Sequence, residues 1–114
     1  MEKIVEQNLL YDFYGELLNE HQRKVYELAV FEDWSLSEIG QECGISRQGV
    51  HDLLRRCNRM LEEYEDKLKL MDKFLRTKDK MKQIHQLTCS FKESNDQKLI
   101  DQIESIAKEM IEEL

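Results

Sequence analysis

The chain has 114 residues, four glycines, no proline and a formal net charge of −7. With 36% charged and 40% apolar residues, it has the composition of an all-α protein, and the scarcity of turn residues disfavours a β-sandwich. No run is apolar enough for a signal peptide or a membrane span, so we expect a cytoplasmic protein. The cysteines, Cys43, Cys57 and Cys89, form no CxxC pair, so we expect reduced thiols that pack as small apolar side chains and no metal site.

Four positions in the sequence carry the signal of a helix start. Three pairs have the spacing of a capping box, in which the first side chain accepts from an amide three residues later and the second reaches back: Asn19 with Gln22, Ser35 with Glu38, and Ser94 with Gln97. Ser46 is a fourth N-cap without the second partner. These positions divide the chain into successive helices joined by short linkers.

The first two helices are predicted to be amphipathic. The first, about Lys3 to Leu18, places five apolar side chains on one face: Val5, Leu9, Leu10, Phe13 and Leu17. The second, about Glu20 to Phe31, places four side chains inward or beside the inner face: Val25, Tyr26, Leu28 and Ala29. We expect Trp34, which ends the following linker, to pack as a lid over the helix ends; the alternative is a platform on which a nucleic-acid base stacks.

The stretch SLSEIGQECGISRQGVHDLLRR, residues 35–56, carries the pattern of a helix-turn-helix. A short helix, Leu36 to Cys43, is followed by Gly44, which suits a left-handed corner, and by the cap Ser46. Gly40, one turn before Gly44, allows another helix to approach closely. Five apolar residues form the inner wedge between the two crossed helices: Ile39, Cys43, Ile45, Val50 and Leu53. The alternative is two adjoining helices of an ordinary bundle.

The fourth helix, which starts after Ser46, is predicted to be long but broken. An unbroken helix as far as Phe91 would be about 68 Å long at ~1.5 Å per residue, which is too long for a compact domain of this size. The apolar seam fails over the run RTKDK. We therefore expect a break between Leu70 and Lys80, with Thr77 or Asp79 as the new cap.

The last helix, about Asn95 to Leu114, has an apolar stripe at helical spacing that needs a partner. That partner is either the helix from Met81 to Phe91 or the same element of a second chain, which would make a homodimer. We therefore divide the chain into a helix-turn-helix domain, residues 1–70, and a helical C-terminal extension, residues 71–114, for dimerisation or partner binding.

Positive charge is concentrated at the start of the fourth helix. Residues 46–60 hold four basic side chains and one acidic one, whereas residues 1–45 hold three basic and ten acidic ones. In a helix-turn-helix the early outward residues of the second helix face a DNA groove, and here they are Arg47, Gln48, His51, Asp52 and Arg55. Arg47 suits guanine and Gln48 suits adenine, while Arg56 and Arg59 suit phosphates. The alternative is a solvated charged face on which Asp52 forms local ion pairs with Arg55 or Arg56.

Parts of the sequence resemble known helix-turn-helix proteins. The run from Leu18 to Leu61 resembles region 4 of bacterial sigma-70-type factors, through HQRKVYELAVFED, WSLSEIG and GISRQGV with the leucine-bearing helix after it. The layout as far as about Leu75 resembles the YlxM family, through LLYDFYGELLNEHQRKVYEL, ISRQGVHDLLRR and MLEEYEDKLKL. This resemblance implies a small all-α regulatory protein with a sigma-region-4-like helix-turn-helix, linked to the signal recognition particle and its protein-targeting pathway.

Two functions are compatible with these features. The first is a regulator whose partner is duplex DNA, and the second is an adaptor that contacts a protein or a structured RNA of the targeting machinery. For the adaptor, the run from Lys67 to Lys82 supplies seven Lys or Arg against two Asp. An enzyme is disfavoured because His21, His51 and His85 fall on different predicted helices and no catalytic or phosphate-binding motif occurs. We expect no cofactor.

Overall fold

The structure, a computed structural model, describes residues 2–114. Over that range it consists of six α-helices and one short 3-10 turn after the first helix, without a strand. The helices are α1 (Lys3–Tyr14), α2 (Glu20–Val30), α3 (Leu36–Cys43), α4 (Arg47–Leu68), α5 (Leu70–Ser94) and α6 (Gln97–Glu112), and the 3-10 turn is Gly15–Leu17. The predicted all-α class is confirmed.

The chain divides into two compact units, one that ends at Met71 and one that comprises Asp72–Leu114. In the first unit α4 packs against α1, α2 and α3. The fully buried side chains of this unit come from all four helices: Tyr14, Val25, Tyr26, Ile39, Val50, Cys57 and Leu61. The half-buried Trp34 ends the linker after α2, where its backbone N–H donates to the carbonyl of Leu28 at 2.9 Å. The core of the first unit is therefore centred on the inner face of α4.

Helices α2 and α3 begin at the capping boxes that the sequence predicts. The Asn19 side chain accepts from the Gln22 N–H at 2.8 Å, and the Gln22 side chain accepts from the Asn19 N–H at 2.9 Å. Ser35 and Glu38 form the same pair of bonds at 3.1 and 3.0 Å. The bonds from the backbone and side chain of Ser35 lower the pKa of Glu38. Both predictions are confirmed, since each box depends only on residues three positions apart.

The first helix ends earlier than predicted. It stops at Tyr14, and the chain tightens into the 3-10 turn, whose three residues per turn rotate the following side chains away from the α-helical face. As a result Leu17, which we expected to be buried, is 53% exposed. Val5, which we also placed on the apolar face, lies in the first turn of α1 and is 43% exposed. Tyr14, which was absent from the predicted apolar face, is buried instead.

Three tyrosines of the first unit have raised pKa values because burial disfavours the phenolate. Burial, together with the hydrogen bond that its hydroxyl donates to Glu27, raises the pKa of Tyr11 to about 12. Burial raises the pKa of Tyr26 to about 12, and burial with a hydrogen bond to Glu65 raises the pKa of Tyr14. Folding therefore favours the protonated form of all three phenols.

We expect the protein to lose stability when the pH rises from about 10 towards about 12. A folded-state pKa above the unfolded value gives a stabilisation that is full below the unfolded pKa of about 10 and disappears as the pH passes the folded values. Urea unfolding midpoints between about pH 8 and pH 11.5 measure this loss, and phenolate absorbance reports the titration itself. Tyr26→Phe should weaken the trend, and a midpoint that stays constant to about pH 11.5 would contradict the expectation.

The long helix breaks at Lys69, so the predicted break between Leu70 and Lys80, with Thr77 or Asp79 as a cap, is wrong. Lys69 adopts a left-handed conformation with φ 56°, and α5 then continues from Leu70 through Ser94. The first amides of α5 have acceptors elsewhere in the first unit. The N–H of Leu70 donates to the Tyr14 hydroxyl at 3.1 Å, and the N–H of Met71 donates to Oε1 of Glu65 at 2.9 Å. The Tyr14 hydroxyl in turn donates to the same Glu65 oxygen at 2.5 Å.

The second unit is the antiparallel pair α5 and α6, and its corner also differs from the prediction. The chain remains helical through Ser94, whose hydroxyl donates to the carbonyl of Ser90 at 3.0 Å, so Ser94 forms no capping box with Gln97. Asn95 is left-handed at φ 56°, and the Asp96 carboxylate accepts from the N–H of Lys98 at 3.0 Å. Because Asp96 is the cap, α6 starts two residues later than the predicted Asn95.

Two side-chain expectations for the second unit need correction. We counted Lys80 in a basic run that is free to bind a partner. Its side chain is only 17% exposed, and it forms ion pairs with Glu109 at 3.6 Å and with Glu113. The contact with Glu113 raises the pKa of Lys80 and lowers that of Glu113. Cys89 is free, as expected, but it lies exposed on α5 rather than packed as an apolar side chain.

Candidate nucleic-acid interface

The corner between α3 and α4 has the geometry that the sequence predicts. Gly44 follows the last residue of α3 in the left-handed region with φ 71°, and its N–H bonds back to the carbonyl of Gly40. The N–H of Ile45 donates to the same carbonyl at 3.0 Å. Ser46 then caps α4, since its hydroxyl accepts from the N–H of Gly49 at 2.9 Å. The corner satisfies backbone groups at both helix ends by local hydrogen bonds.

Gly40 is required by the corner itself rather than by a neighbouring helix. A Cβ atom at Gly40 would lie 2.6 Å from the backbone carbonyl oxygen of Ile45. The close approach that we expected is therefore present, but the approaching group is the chain that has just turned. At Gly44, in contrast, no atom lies within 4 Å of an added Cβ, and only the positive φ favours glycine.

The inner face of α4 is buried at a regular helical spacing. Val50, Cys57 and Leu61 have no exposed surface, and Leu53 is also buried, so these residues attach α4 to the rest of the core. Ile39 lies opposite them on α3 and is buried too. The helix is thereby fixed with its other side towards solvent.

That outer side carries every residue that the sequence suggested for nucleic-acid contact. The seven side chains are all exposed, and they form one continuous surface along the first three turns of α4: Arg47, Gln48, His51, Asp52, Arg55, Arg56 and Arg59. We call this surface the reading face. The first turn of α4 contains no acidic residue, so the partial positive charge of the helix N-terminus adds to that of Arg47.

Asp52 is engaged with its polar neighbours rather than with arginines. The Gln48 side-chain amide donates to Oδ1 of Asp52 at 3.0 Å, and Nδ1 of His51 lies 3.7 Å from the same oxygen. Within residues 2–114, Asp52 forms no ion pair with Arg55 or Arg56, so the local pairing that we considered as the alternative does not form. Asp52 instead orients the amide of Gln48.

Two shallow depressions beside α4 are lined by the same arginines. One, of about 180 Å³, is lined by Asp52, Arg55, Arg56 and Arg59. The other, of about 490 Å³, lies between α4 and α1, where Arg55 and Arg59 face Lys3 together with Glu6 and Glu62. Sequence reasoning missed Lys3, because no local pattern connects it with residues more than fifty positions later. Lys3 therefore adds one positive charge beside Arg55 and Arg59, next to the carboxylates of Glu6 and Glu62.

Residues 2–114 contain neither a cluster of metal ligands nor a helix suited to crossing a membrane. Over residues 2–114, no three side chains among the histidines, cysteines, aspartates and glutamates converge as ligands for a metal ion. None of the helices in that range combines the length and the apolar character needed to cross a bilayer.

Comparison with known proteins gives matches along most of the chain. A family model described as "Putative helix-turn-helix protein, YlxM / p13 like" and named UPF0122 matches residues 1–106. The UPF0122 protein of Acetivibrio thermocellus is 38% identical over 116 residues, which cover 98% of this chain and 99% of that protein. The UPF0122 protein of Geobacillus sp. (strain WCH70) is 42% identical over 106 residues, with 93% and 96% covered. The UPF0122 protein YlxM of Bacillus subtilis is 38% identical over 96 residues, with 84% and 87% covered.

Proposed function

Because the chain belongs to UPF0122, the family of YlxM- and p13-like helix-turn-helix proteins, we propose that it is a non-catalytic regulator that binds duplex DNA through the reading face of α4. The observation that carries the proposal is the exposure of all seven reading-face side chains on a helix whose other side is buried. The proposal includes the link to the signal recognition particle pathway that the resemblance to YlxM implies. The cytoplasm is the compartment in which such a regulator meets DNA.

The first turns of α4 suit the base edges of a major groove. A helix-turn-helix inserts the N-terminal part of its second helix into that groove. Arg47 is exposed at the first position of α4 and can bond guanine O6 and N7 with two N–H groups. Gln48 can pair with adenine, and its amide is already oriented by Asp52. These two side chains therefore carry the sequence preference in our proposal.

The arginines farther along α4 suit the phosphate backbone. Arg59 lies twelve residues after Arg47, which is about 18 Å along the helix axis at ~1.5 Å per residue. A major groove is only about 12 Å wide, so a helix that holds Arg47 at the base edges places Arg59 at its border. Arg55 and Arg56 lie between Arg47 and Arg59 along the helix axis. These side chains supply affinity that does not depend on sequence.

The net charge of −7 limits this affinity. Repulsion between phosphates and the acidic residues of the first unit must be overcome by the local charge of the reading face. A dimer that presents two reading faces to successive half-sites would compensate for weak binding by each copy. The proposal therefore includes a homodimer, and binding that depends steeply on salt.

Arg59→Gln should weaken binding to all duplexes by a similar factor. The loss of one phosphate contact per chain should reduce the slope of log K against log salt by about 0.9 for each bound chain, or by about 1.8 for a dimer that binds with both reading faces. Anisotropy titrations of a labelled duplex at several salt concentrations measure the slope. The matched control is Arg76→Gln on α5, which removes the same charge from a side chain that pairs with Asp72 at 3.2 Å. Equal slopes for Arg59→Gln, Arg76→Gln and the unchanged protein would contradict the assigned phosphate contact.

The second candidate function is an adaptor that binds a protein or structured RNA of the targeting machinery. Exposed lysines at the end of α4 and along the first half of α5 favour it: Lys67, Lys69, Lys73, Lys78 and Lys82. Lys80 and Arg76 contribute less, since carboxylates already pair with them. Pull-down of signal recognition particle components that survives nuclease treatment, combined with a larger effect of Lys73→Gln than of Arg59→Gln, would favour the adaptor over the DNA-binding regulator.

A further inference from the structure

The second unit lacks a buried core of its own. No side chain of Asp72–Leu114 is buried in the single chain, although α6 alone carries six large apolar residues: Leu99, Ile100, Ile103, Ile106, Met110 and Ile111. Two helices cannot enclose a core between them, and an amphipathic helix is stable only when its apolar stripe is covered. The second unit is therefore an incomplete layer that needs another layer against it.

One face of the pair α5 and α6 exposes large apolar side chains beside charged ones. On α6, Ile100, Ala107 and Ile111 are spaced by seven and four residues and so share one side of the helix. On α5, Met81 and Thr88 share a side in the same way. The Lys80 contacts with Glu109 and Glu113 set the antiparallel register, which places Met81 at nearly the same height as Ile111. Met81 is 58% exposed and Ile111 is 69% exposed. We call these five residues the apolar face.

The other face of the same pair is mixed. It forms a groove of about 700 Å³ that is lined by six polar or charged side chains and two apolar ones: Gln83, Gln86, Ser90, Asp101, Gln102, Ser105, Leu87 and Ile106. Helical spacing places this lining on the side of α5 and α6 away from Met81 and Ile111. Water can satisfy the six polar or charged side chains of this groove, whereas it cannot satisfy Met81 and Ile111, which are 58% and 69% exposed. The side with Met81 and Ile111 is therefore the one that gains more from a partner.

The opposite net charges of α5 and α6 favour a second copy of the same chain as the partner. Helix α5 holds six basic and three acidic residues, whereas α6 holds two basic and four acidic ones. A partner with a single sign of charge would be attracted by one helix and repelled by the other. A second copy that packs face to face about an axis parallel to the helices places its acidic α6 over the basic α5, and its basic α5 over the acidic α6. The face is therefore complementary to itself.

The distribution of charge between the units favours the same arrangement. Of the formal charge of −7, the second unit holds only −1, from eight basic and nine acidic residues, and the first unit holds the remainder. Two copies of an acidic protein meet with the least repulsion where the net charge is nearly zero. The second unit, with a net charge of −1, is therefore the part of the chain best suited to contact between two copies.

The size of the surface fits a small dimer interface. The sixteen residues of α6 extend about 24 Å, and two helices side by side are roughly 20 Å wide. The product of these two lengths is a projected area of roughly 480 Å². Because side chains make the surface uneven, the accessible area is larger and approaches the ~600 Å² per partner of the smallest specific interfaces. The interface would form and dissociate at accessible protein concentrations.

We propose that the apolar face of α5 and α6 is a homodimer interface in which two hairpins form a four-helix bundle. This inference gives the dimer included in the proposed function a defined surface, and it does not depend on whether the reading face binds DNA. The four helices enclose Met81, Ala107 and Ile111 of both copies, which supplies the core that a single hairpin lacks.

Sedimentation equilibrium of the full chain without nucleic acid tests the interface. We expect a mass that approaches twice the 13.7 kDa of one chain as the concentration rises. Ile111→Lys should raise the dimer dissociation constant at least tenfold, since it buries a charge against an apolar partner. Lysine near the end of α6 also suits the helix dipole, so the helix itself should persist. The matched control, Ser105→Lys in the groove of the other face, should leave the dissociation constant unchanged.

Met81→Lys repeats the test from the other helix, in case one variant is poorly folded. Circular dichroism of each variant checks that the helices remain. A monomeric wild-type protein at about 100 µM, where a useful dimer would assemble, would overturn the proposal. Equal effects of Ile111→Lys and Ser105→Lys would overturn it as well. Loss of DNA binding by a variant that still dimerises would count against the reading face and not against the interface.

Discussion

Gly40→Ala should lower the free energy of unfolding by about 3 kcal/mol, near the upper end for an overpacked site. The added methyl group would lie 2.6 Å from the carbonyl oxygen of Ile45, a distance that real Cβ atoms do not reach. That oxygen belongs to the backbone and cannot rotate away as the end of a side chain would. Relief requires the corner to open, which would also displace Ser46 and the start of α4.

The matched comparison for this substitution is Gly44→Ala. The space around Gly44 is open, so the expected loss is only the ~1–2 kcal/mol of placing an ordinary residue in the left-handed region. Urea unfolding of both variants measures the difference, and duplex binding shows whether the reading face moves with the corner. A Gly40→Ala protein as stable as Gly44→Ala would mean that the corner is looser than its geometry indicates.

Glu65→Ala should lower the free energy of unfolding by a similar amount, about 3 kcal/mol. The Glu65 carboxylate accepts from the Tyr14 hydroxyl and from the N–H of Met71, and its side chain is buried. Removing it leaves two buried donors without their acceptor and a cavity beside Tyr14. The N–H of Leu70 is affected too, since the Tyr14 hydroxyl that accepts from it would lose its fixed orientation.

Two further variants separate hydrogen bonding from general changes in charge. Glu65→Gln retains a carbonyl oxygen for both donors and should lose only about 1 kcal/mol. Glu63→Ala removes a carboxylate from the exposed side of the same helix and should change the stability by less than about 0.5 kcal/mol. Urea unfolding at neutral pH compares all three. If Glu65→Ala matched Glu63→Ala, the contact between Tyr14 and the α4–α5 corner would contribute nothing to stability.

The features that sequence analysis predicted are those set by neighbouring residues. The boxes at Asn19 and Ser35, the left-handed corner at Gly44 and the cap at Ser46 all depend on contacts within six positions. The buried side of α4 follows from a single helical period. Because the outward side is the complement of the buried one, the exposure of Arg47 and its neighbours could be predicted as well.

The features that sequence analysis missed depend on distant residues or on competition between close alternatives. At the break after Lys69, the N–H of Leu70 donates to the hydroxyl of Tyr14, more than fifty residues earlier, and no local pattern reveals that contact. Lys3 lies beside Arg59 only after α1 has packed on α4. At the last corner, Ser94 and Asp96 are both good caps, and spacing alone did not decide between them.

The corner at Lys69 prevents α4 and α5 from forming one continuous helix. Lysine favours helix, and nothing in the sequence on either side of it opposes continuation. Freed from the first helix, a fragment comprising residues 47–94 would gain by straightening into one rod about 72 Å long. Tyr14, near the start of the chain, helps to hold the corner at Lys69, because displacing its hydroxyl would remove the acceptor of the first amide of α5.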